Sequence, residues 1–429
     1  MAHVVFVDST APTLPALETA KEMGHFVTFI RPADVSLLAL SSLSREHLES
    51  VARSADQAVV IDHLEADLLN ALRRIHAERR IDALLTTSEP AVIPTVKAAE
   101  TLGIRATSRL SMETAVTKDL CRDSLQVAGV RSARHRRAET CEQALDASRS
   151  LGLPLVIKPS RSAGKEGVAI IRAENELAAY FDELPSARQA MSQTLTSLVS
   201  TRLLMEEYIE GVLYSAEIIA NDGEIEVFMI ARREQATNNA LYEVAAVLPA
   251  GLADAEQHEV KTYMQEVFAR LGLTVGVYHV EFIMGADGPV LVEVNGRIMG
   301  GMAPFVYRHI TGVNPFRLLI QEHLGEKSKI PQPPFRSAGI SIALGSVSGG
   351  VLPDGVERQI EKVKQKHQPL ASSLDLSSGQ RIPKQMGNFT VFGFCCLPAD
   401  TTEQARARGL EFISDLENAF GFDIAKYEL

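Results

Sequence analysis

Short apolar runs separated by polar turns dominate the first hundred positions. His3 to Asp8 reads as a buried strand, and helix signals follow from Pro15 to Met23, where Gly24 ends them. His25 to Ile30, Gln57 to Ile61 and Asp82 to Thr87 are further apolar strands, and Pro90 opens a helix that runs to Gly103. Repeated strand–helix–strand units of this length predict a parallel sheet with helices on both faces. One amphipathic helix is expected from Ser111 to Gly129. A β-α-β unit follows, with strands Arg131 to Ala138 and Pro154 to Lys158 around a helix from Thr140 to Leu151. After the polar loop SRSAGKEG come a strand, Val168 to Arg172, and two helical stretches between Glu174 and Ser200.

From Leu203 to Val247 the pattern changes to consecutive strands, with Asn221-Asp222-Gly223 as a hairpin turn. A helix from Ala253 to Leu271 precedes strands Gly276 to Met284 and Pro289 to Asn295, joined by the turn GADG. Two helices finish near Gly325. The Pro-rich segment KSKIPQPPF reads as a linker. Beyond it lie short strands and Gly turns, ending in a helix from Thr402 to Ala419. The periodicity shows no internal repeat.

A chain of 429 residues fits two to four packed subdomains. Its formal charge of −11 argues against nucleic acid or an anionic membrane as partner, because phosphate contact needs clustered Lys and Arg. The most basic run, Arg131, Arg134, Arg136 and Arg137, reads as a solvated edge. The four cysteines show no C-x-x-C spacing, and Cys395 and Cys396 sit in an apolar run as packing residues. The opening MAHVVFVDST lacks the pattern of a secretory signal, so a cytoplasmic location with reduced thiols is expected.

Chemistry concentrates in EFIMGADGPVLVEVNGR, from Glu281 to Arg297. Residues two apart on a strand share a face, so Glu293, Asn295 and Arg297 point one way and Glu281 joins them from the neighbouring strand. Two carboxylates and an amide oxygen form a hard oxygen site that suits magnesium. A wet hairpin face explains one Glu, but less well this set flanked by apolar residues. Lys158 ends a buried strand before a Gly-containing loop, where it can contact phosphates. The segment MEEYIEG, Met205 to Gly211, opens a strand into a linker whose backbone can read an adenine edge. Neither a P-loop nor the G-x-G-x-x-G fingerprint is present, which argues against a dehydrogenase.

Taken in order, Lys118 on a helix, Lys158 before the loop, the Glu206–Ile209 hinge, Glu281, and Glu293-x-Asn295-x-Arg297 resemble the ATP-grasp superfamily over roughly residues 1 to 325. Within it, His279 two residues before Glu281, together with NGRIMGG, is most similar to the L-amino-acid ligases, dipeptide-forming carboxylate–amine ligases. GSVSGG and QMGNFTVFGF resemble their C-terminal extension.

The resemblance implies an α/β fold. It has an N-terminal α/β domain (1–110), a linker helix and lid (111–205), an antiparallel-sheet ATP domain (206–330) and a strand-rich C-terminal subdomain (331–429). It implies Lys118 and Lys158 on ATP phosphates, and Ser160, Ser162, Ala163, Gly164 and Gly167 in a closing lid. Glu206, Glu207, Tyr208 and Ile209 would take adenine, and Glu281, Glu293 and Asn295 would bind magnesium, with manganese as a substitute. Arg297, with His279 as general base or hydrogen-bonded neighbour, would serve catalysis.

Backbone N–H groups at Gly300 and Gly301 would receive a substrate carboxylate, and Glu243, after Tyr242, a substrate ammonium. The position that often carries a ribose-binding Glu is Leu213, leaving Glu210 or Glu217 as substitutes. The expected partners are a small-molecule acid and amine, and a homodimer is the default assembly. Two rival readings are a ligase making a natural-product or siderophore amide and a non-catalytic nucleotide-binding regulator.

Overall fold

The computed structural model describes residues 1–34, 54–162, 164–190, 196, 199–385, 387–388 and 390–429. The first sheet is parallel throughout, in the order Gln57–Ile61, Phe26–Pro32, His3–Val7, Ala83–Leu85. Its strand His3–Val7 is buried at every position because both faces are covered. Val4 and Phe6 pack with helix Pro15–Glu22 in one core, while Val5 and Val7 face helices Leu64–Glu78 and Val92–Leu102 in another.

A second, antiparallel sheet runs His135–Ala138, Leu203–Glu207, Leu155–Pro159, Ala169–Ile171. Helices Cys141–Leu151 and Glu174–Ala190 accompany it. The expected second helical stretch before Ser200 falls largely outside the described residues.

The third sheet has eight antiparallel strands. Their order is Gly288–Asn295, Val275–Gly285, Val212–Asn221, Glu224–Ala236, Asn239–Leu248, Ala338–Leu344, Gly393–Ala399, Ala371–Ser373. The last three come from beyond the Pro-rich linker, so C-terminal strands extend the central sheet, and Gly350–Val351 and Arg381–Ile382 form a separate two-stranded sheet. Adjacent Cys395 and Cys396 point to opposite faces and enter two different cores. The hairpin at Asp222-Gly223 has φ of 51° and 90°, the pair of positive angles that a tight two-residue turn requires.

One expectation fails at the linker. The helix foreseen from Ser111 to Gly129 is two helices, Arg109–Val116 and Lys118–Val127. Thr117 between them is extended, and the Lys118 N–H is donated to the Ser160 carbonyl at 2.9 Å. A tertiary hydrogen bond thus overrides a continuous amphipathic pattern. Among the described residues no helix is long and apolar enough to cross a membrane.

The chain passes from strand Leu203–Glu207 into the central sheet through Gly211. A Cβ at Gly211 would lie 2.2 Å from the Met284 carbonyl oxygen and 2.8 Å from Ile283 Cγ2. Both obstacles belong to the strand that carries Glu281, so relief would require that strand to shift. Gly211→Ala is expected to cost about 1–3 kcal/mol of stability. A urea midpoint equal to that of the wild type would refute the close approach.

Candidate active site

Register on the central sheet assembles the polar residues. Strand Val275–Gly285 turns Tyr278, Val280 and Phe282 into the core under helix Asp254–Leu271, so His279 and Glu281 face the other way. Glu281 pairs across the ladder with Ser215 on one side and Glu293 on the other, and His279 with Glu217 and Asn295. Two polar rows therefore cross three strands on one buried face. A bulge between Glu281 and Phe282 shifts the register after Glu293. Arg297 lies past the strand's end at Asn295.

Two carboxylates directly opposite each other repel; Glu281 is buried and Glu293 half-buried. Each is met by an ammonium: Glu293 Oε2 by Lys118 Nζ at 3.0 Å, and Glu281 Oε2 by Lys165 Nζ at 2.9 Å. Burial works against the Glu281 charge, but Lys165 and then His279 hold its carboxyl well below the usual range. Glu293 is lowered in the same way, against burial, chiefly by Lys118. Each carboxylate thus already holds a cation, and the donor set of Glu281, Glu293 and the Asn295 amide oxygen fits a hard divalent ion.

His279 stands between two carboxylates. Its Nδ1 lies 2.7 Å from Glu217 Oε1, and its Nε2 lies 3.6 Å from Glu281 Oε1. Burial opposes its charge, yet Glu217 outweighs burial and lifts the pKa to about 9. The ring is thus held between the Glu217 and Glu281 carboxylates. Glu217 is committed to His279 and Glu210 is exposed, so neither takes the place of a ribose carboxylate at Leu213, which lines the cavity.

The hinge also differs from expectation. Glu206 is buried between Arg122, Nε to Oε1 at 2.8 Å, and Lys158, Nζ to Oε2 at 2.5 Å. Arg122 Nη2 further donates to the Val292 carbonyl at 2.7 Å. Glu207 accepts from Arg134 Nε at 2.7 Å. Both carboxylates are engaged within the protein, which leaves the backbone of Glu207, Tyr208 and Ile209 along the cavity wall.

Of the lid residues, Ser162 and Gly164 line the cavity. Gly167 accepts from the Tyr180 hydroxyl at 2.7 Å, and Ser160 is buried with no partner for its Oγ. Ala163 lies outside the described residues.

A cavity of about 670 Å³ joins these groups to a second cluster. There Arg297 Nε stands 3.1 Å from Glu89 Oε2, without a hydrogen-bonding angle. Burial pushes the Glu89 carboxyl up, partly offset by Arg297. Gly300 and Gly301 line the same end, immediately before helix Ala303–Thr311, so their N–H groups lie at a helix N-terminus suited to an anion. Glu243, read as an ammonium receptor, is already paired with Arg233, Nε at 2.8 Å, and with Lys165 at 3.1 Å. Glu89 is the acid at this end that is not so satisfied.

The sequence reading missed Glu89, Arg122, Arg233 and the function of Lys165. Two signals were available. Glu89 follows the carboxyl end of a parallel strand, where open α/β sheets place their ligands. Arg122 stands four residues after Lys118, on the same helix face.

Comparison with known proteins agrees with this geometry. Residues 151–304 match the ATP-grasp domain and residues 17–104 the ATP-grasp N-terminal domain. The chain is 29% identical over 253 residues to alanine–anticapsin ligase of Bacillus subtilis (strain 168), covering 56% of this chain and 53% of that protein. It is 26% identical over 171 residues to dapdiamide A synthase of Enterobacter agglomerans, covering 39% and 38%. The matched stretch thus spans about half the length, or less, of these curated relatives. The fold is shared with the crystal structure of L-amino acid ligase from Bacillus licheniformis, with a TM-score of 0.77 and 20% identity, covering 100% of this chain and 99% of that one.

Lys158 provides a direct test of phosphate binding. Burial lowers its pKa to about 8, with Glu206 opposing and Arg122 and Lys118 adding to the fall. An incoming polyphosphate favours the ammonium form, so binding takes up a proton, and ATP affinity declines as pH rises through about 8. Calorimetric titration in buffers of differing ionisation enthalpy should register that uptake, and Lys158→Met should remove it. Affinity that stays flat from about pH 7 to about pH 9.5 would exclude Lys158 from the phosphates.

Proposed function

We propose, from the premise that this chain belongs to the ATP-grasp superfamily, that it is an ATP-dependent ligase joining two amino acids through an acyl phosphate, with release of ADP and phosphate. The observation that carries this reading is the continuous cavity. At one end stand the paired carboxylates Glu281 and Glu293 with Lys118 and Lys158, and at the other Arg297, Glu89 and the Gly300–Gly301 turn.

Glu281, Glu293 and Asn295 would hold magnesium, which when bound neutralises charge on the ATP phosphates. Manganese suits the same all-oxygen set and is expected to substitute. Lys158 and Lys118 lower the repulsion as the acid's carboxylate attacks the γ-phosphorus and the bond to the ADP oxygen breaks. The lid segment Ser160–Gly167 keeps water from the acyl phosphate. A neutral amine then attacks the acyl carbon, and Arg297 stabilises the oxyanion. The carbon–oxygen bond to phosphate breaks, and the departing phosphate takes the proton lost by the amine.

Each substrate keeps one charge throughout. The activated amino acid keeps its ammonium, which the acid Glu89, beside Arg297, is placed to receive. The attacking amino acid keeps its carboxylate, for which the N–H groups of Gly300 and Gly301 are the receptor. The same cavity suits a non-proteinogenic partner, a reading favoured by relatives named alanine–anticapsin ligase and dapdiamide A synthase.

Phosphate release from ATP and magnesium, measured over single amino acids and pairs, is expected to require particular pairs and to yield a new dipeptide mass. Silence across the proteinogenic set, followed by release with non-proteinogenic acids or amines, selects the second reading. Arg297→Met should abolish amide formation while ATP binding persists, and loss of both would remove Arg297 from the chemistry. Glu89→Gln should raise the KM of the activated amino acid about tenfold or more with the KM of ATP unchanged. Equal KM values for that amino acid in the two proteins would discard the ammonium assignment.

A further inference from the structure

Lys165 comes from the lid, not from the sheet that carries the paired carboxylates. Its ammonium reaches across to lie 2.9 Å from Glu281 Oε2 and 3.1 Å from Glu243 Oε1. The backbone at Lys165 has φ of +66°, a conformation that favours glycine. The surrounding chain fixes it there. The Gly164 carbonyl accepts from the Asn388 N–H at 3.2 Å, and the Gly167 carbonyl from the Tyr180 hydroxyl. Gly387 lies so close that a Cβ there would meet Glu166 Oε1 at 2.6 Å. Glu243 N in turn donates to Asn388 Oδ1 at 3.4 Å. The lid loop is therefore held by the C-terminal residues as well as by the buried carboxylates.

A cation is required here because Glu281, Glu243 and Glu293 share one nearly buried region. Lys165 supplies it from a long side chain on a loop tied down by these contacts. A divalent ion at Glu281 competes for the same oxygen and repels the ammonium. The lysine then needs another anion within a side-chain swing, and a nucleotide's terminal phosphate beside that ion is one.

We propose that Lys165 is a further phosphate-binding residue. It stands in for the divalent ion between Glu281 and Glu243 while the site lacks nucleotide, and it transfers to the terminal phosphate when nucleotide and ion bind. This rests on the ATP-dependent reading above and extends it to a residue that reads the third phosphate. Arg233 stays on Glu243 after the transfer, so that carboxylate is not left bare.

Three measurements on the full chain test it. In Lys165→Met, Mn2+ binding without nucleotide, followed by electron paramagnetic resonance, is expected to tighten about tenfold because the competing cation is gone. Binding of ATP with Mn2+ should weaken about tenfold while ADP binding stays within about twofold, because only ATP carries the third phosphate. Glu243→Gln, which removes one negative charge and leaves Lys165 with Glu281 as its carboxylate partner, should instead weaken Mn2+ binding. Unchanged or weaker Mn2+ binding in Lys165→Met, or tighter binding in Glu243→Gln, overturns the stand-in role. Equal losses for ATP and ADP, or none for either, overturn the phosphate role. If the wild-type chain binds neither nucleotide, the ATP-dependent reading falls, and this inference falls with it.

Discussion

The charges in the cavity wall are, with few exceptions, buried or half-buried, and a charge withdrawn from water is tolerated only beside an opposite one. That constraint links the parts of the molecule. Glu206 on the hinge strand is held by Arg122 from the linker helix and by Lys158 from the lid strand. Lys118, at the start of the same helix, reaches Glu293, and Lys165 reaches Glu281, whose neighbour His279 leans on Glu217. Cation and anion alternate from the linker through both sheets. Removing one group strands its neighbours, so elements distant in sequence are bound to a common geometry.

The alternation also explains why the groups are available for chemistry. Lysines paired to buried carboxylates are pre-positioned and cost little reorganisation when an anionic substrate replaces one partner. The carboxylates are likewise kept ionised, as a divalent cation requires. The Arg297–Glu89 cluster differs. Its ion pair is poorly aligned, and Glu89 is pushed toward its neutral form. An incomplete pair at the end of a cavity is a place where a substrate's charge completes the set.

Much of the site was legible because it depends on local rules. Strand alternation put Glu281, Glu293 and Asn295 on one face, and register across the hairpin confirms their approach. The parallel first sheet and the Asp222-Gly223 turn followed from apolar runs and turn chemistry. What failed depended on distant partners. Glu206 and Glu207 look like adenine contacts on a hinge, yet Arg122 and Arg134 claim their side chains. His279 reads as a hairpin histidine beside Glu281, and only the fold sets Glu217, 62 positions away, against its Nδ1.

The sequence by itself determined which residues lie on which face and which segments become strands, because those depend on neighbours two to four positions apart. It also identified the hairpin that carries the acids, from composition and spacing alone. Only the tertiary structure decided the charge state and occupation of each acid and base. Coulombic pairing depends on separation in space and is insensitive to distance along the chain. Lys165 shows the division most clearly: as a sequence it is one more loop lysine, and only the folded chain brings it between Glu281 and Glu243.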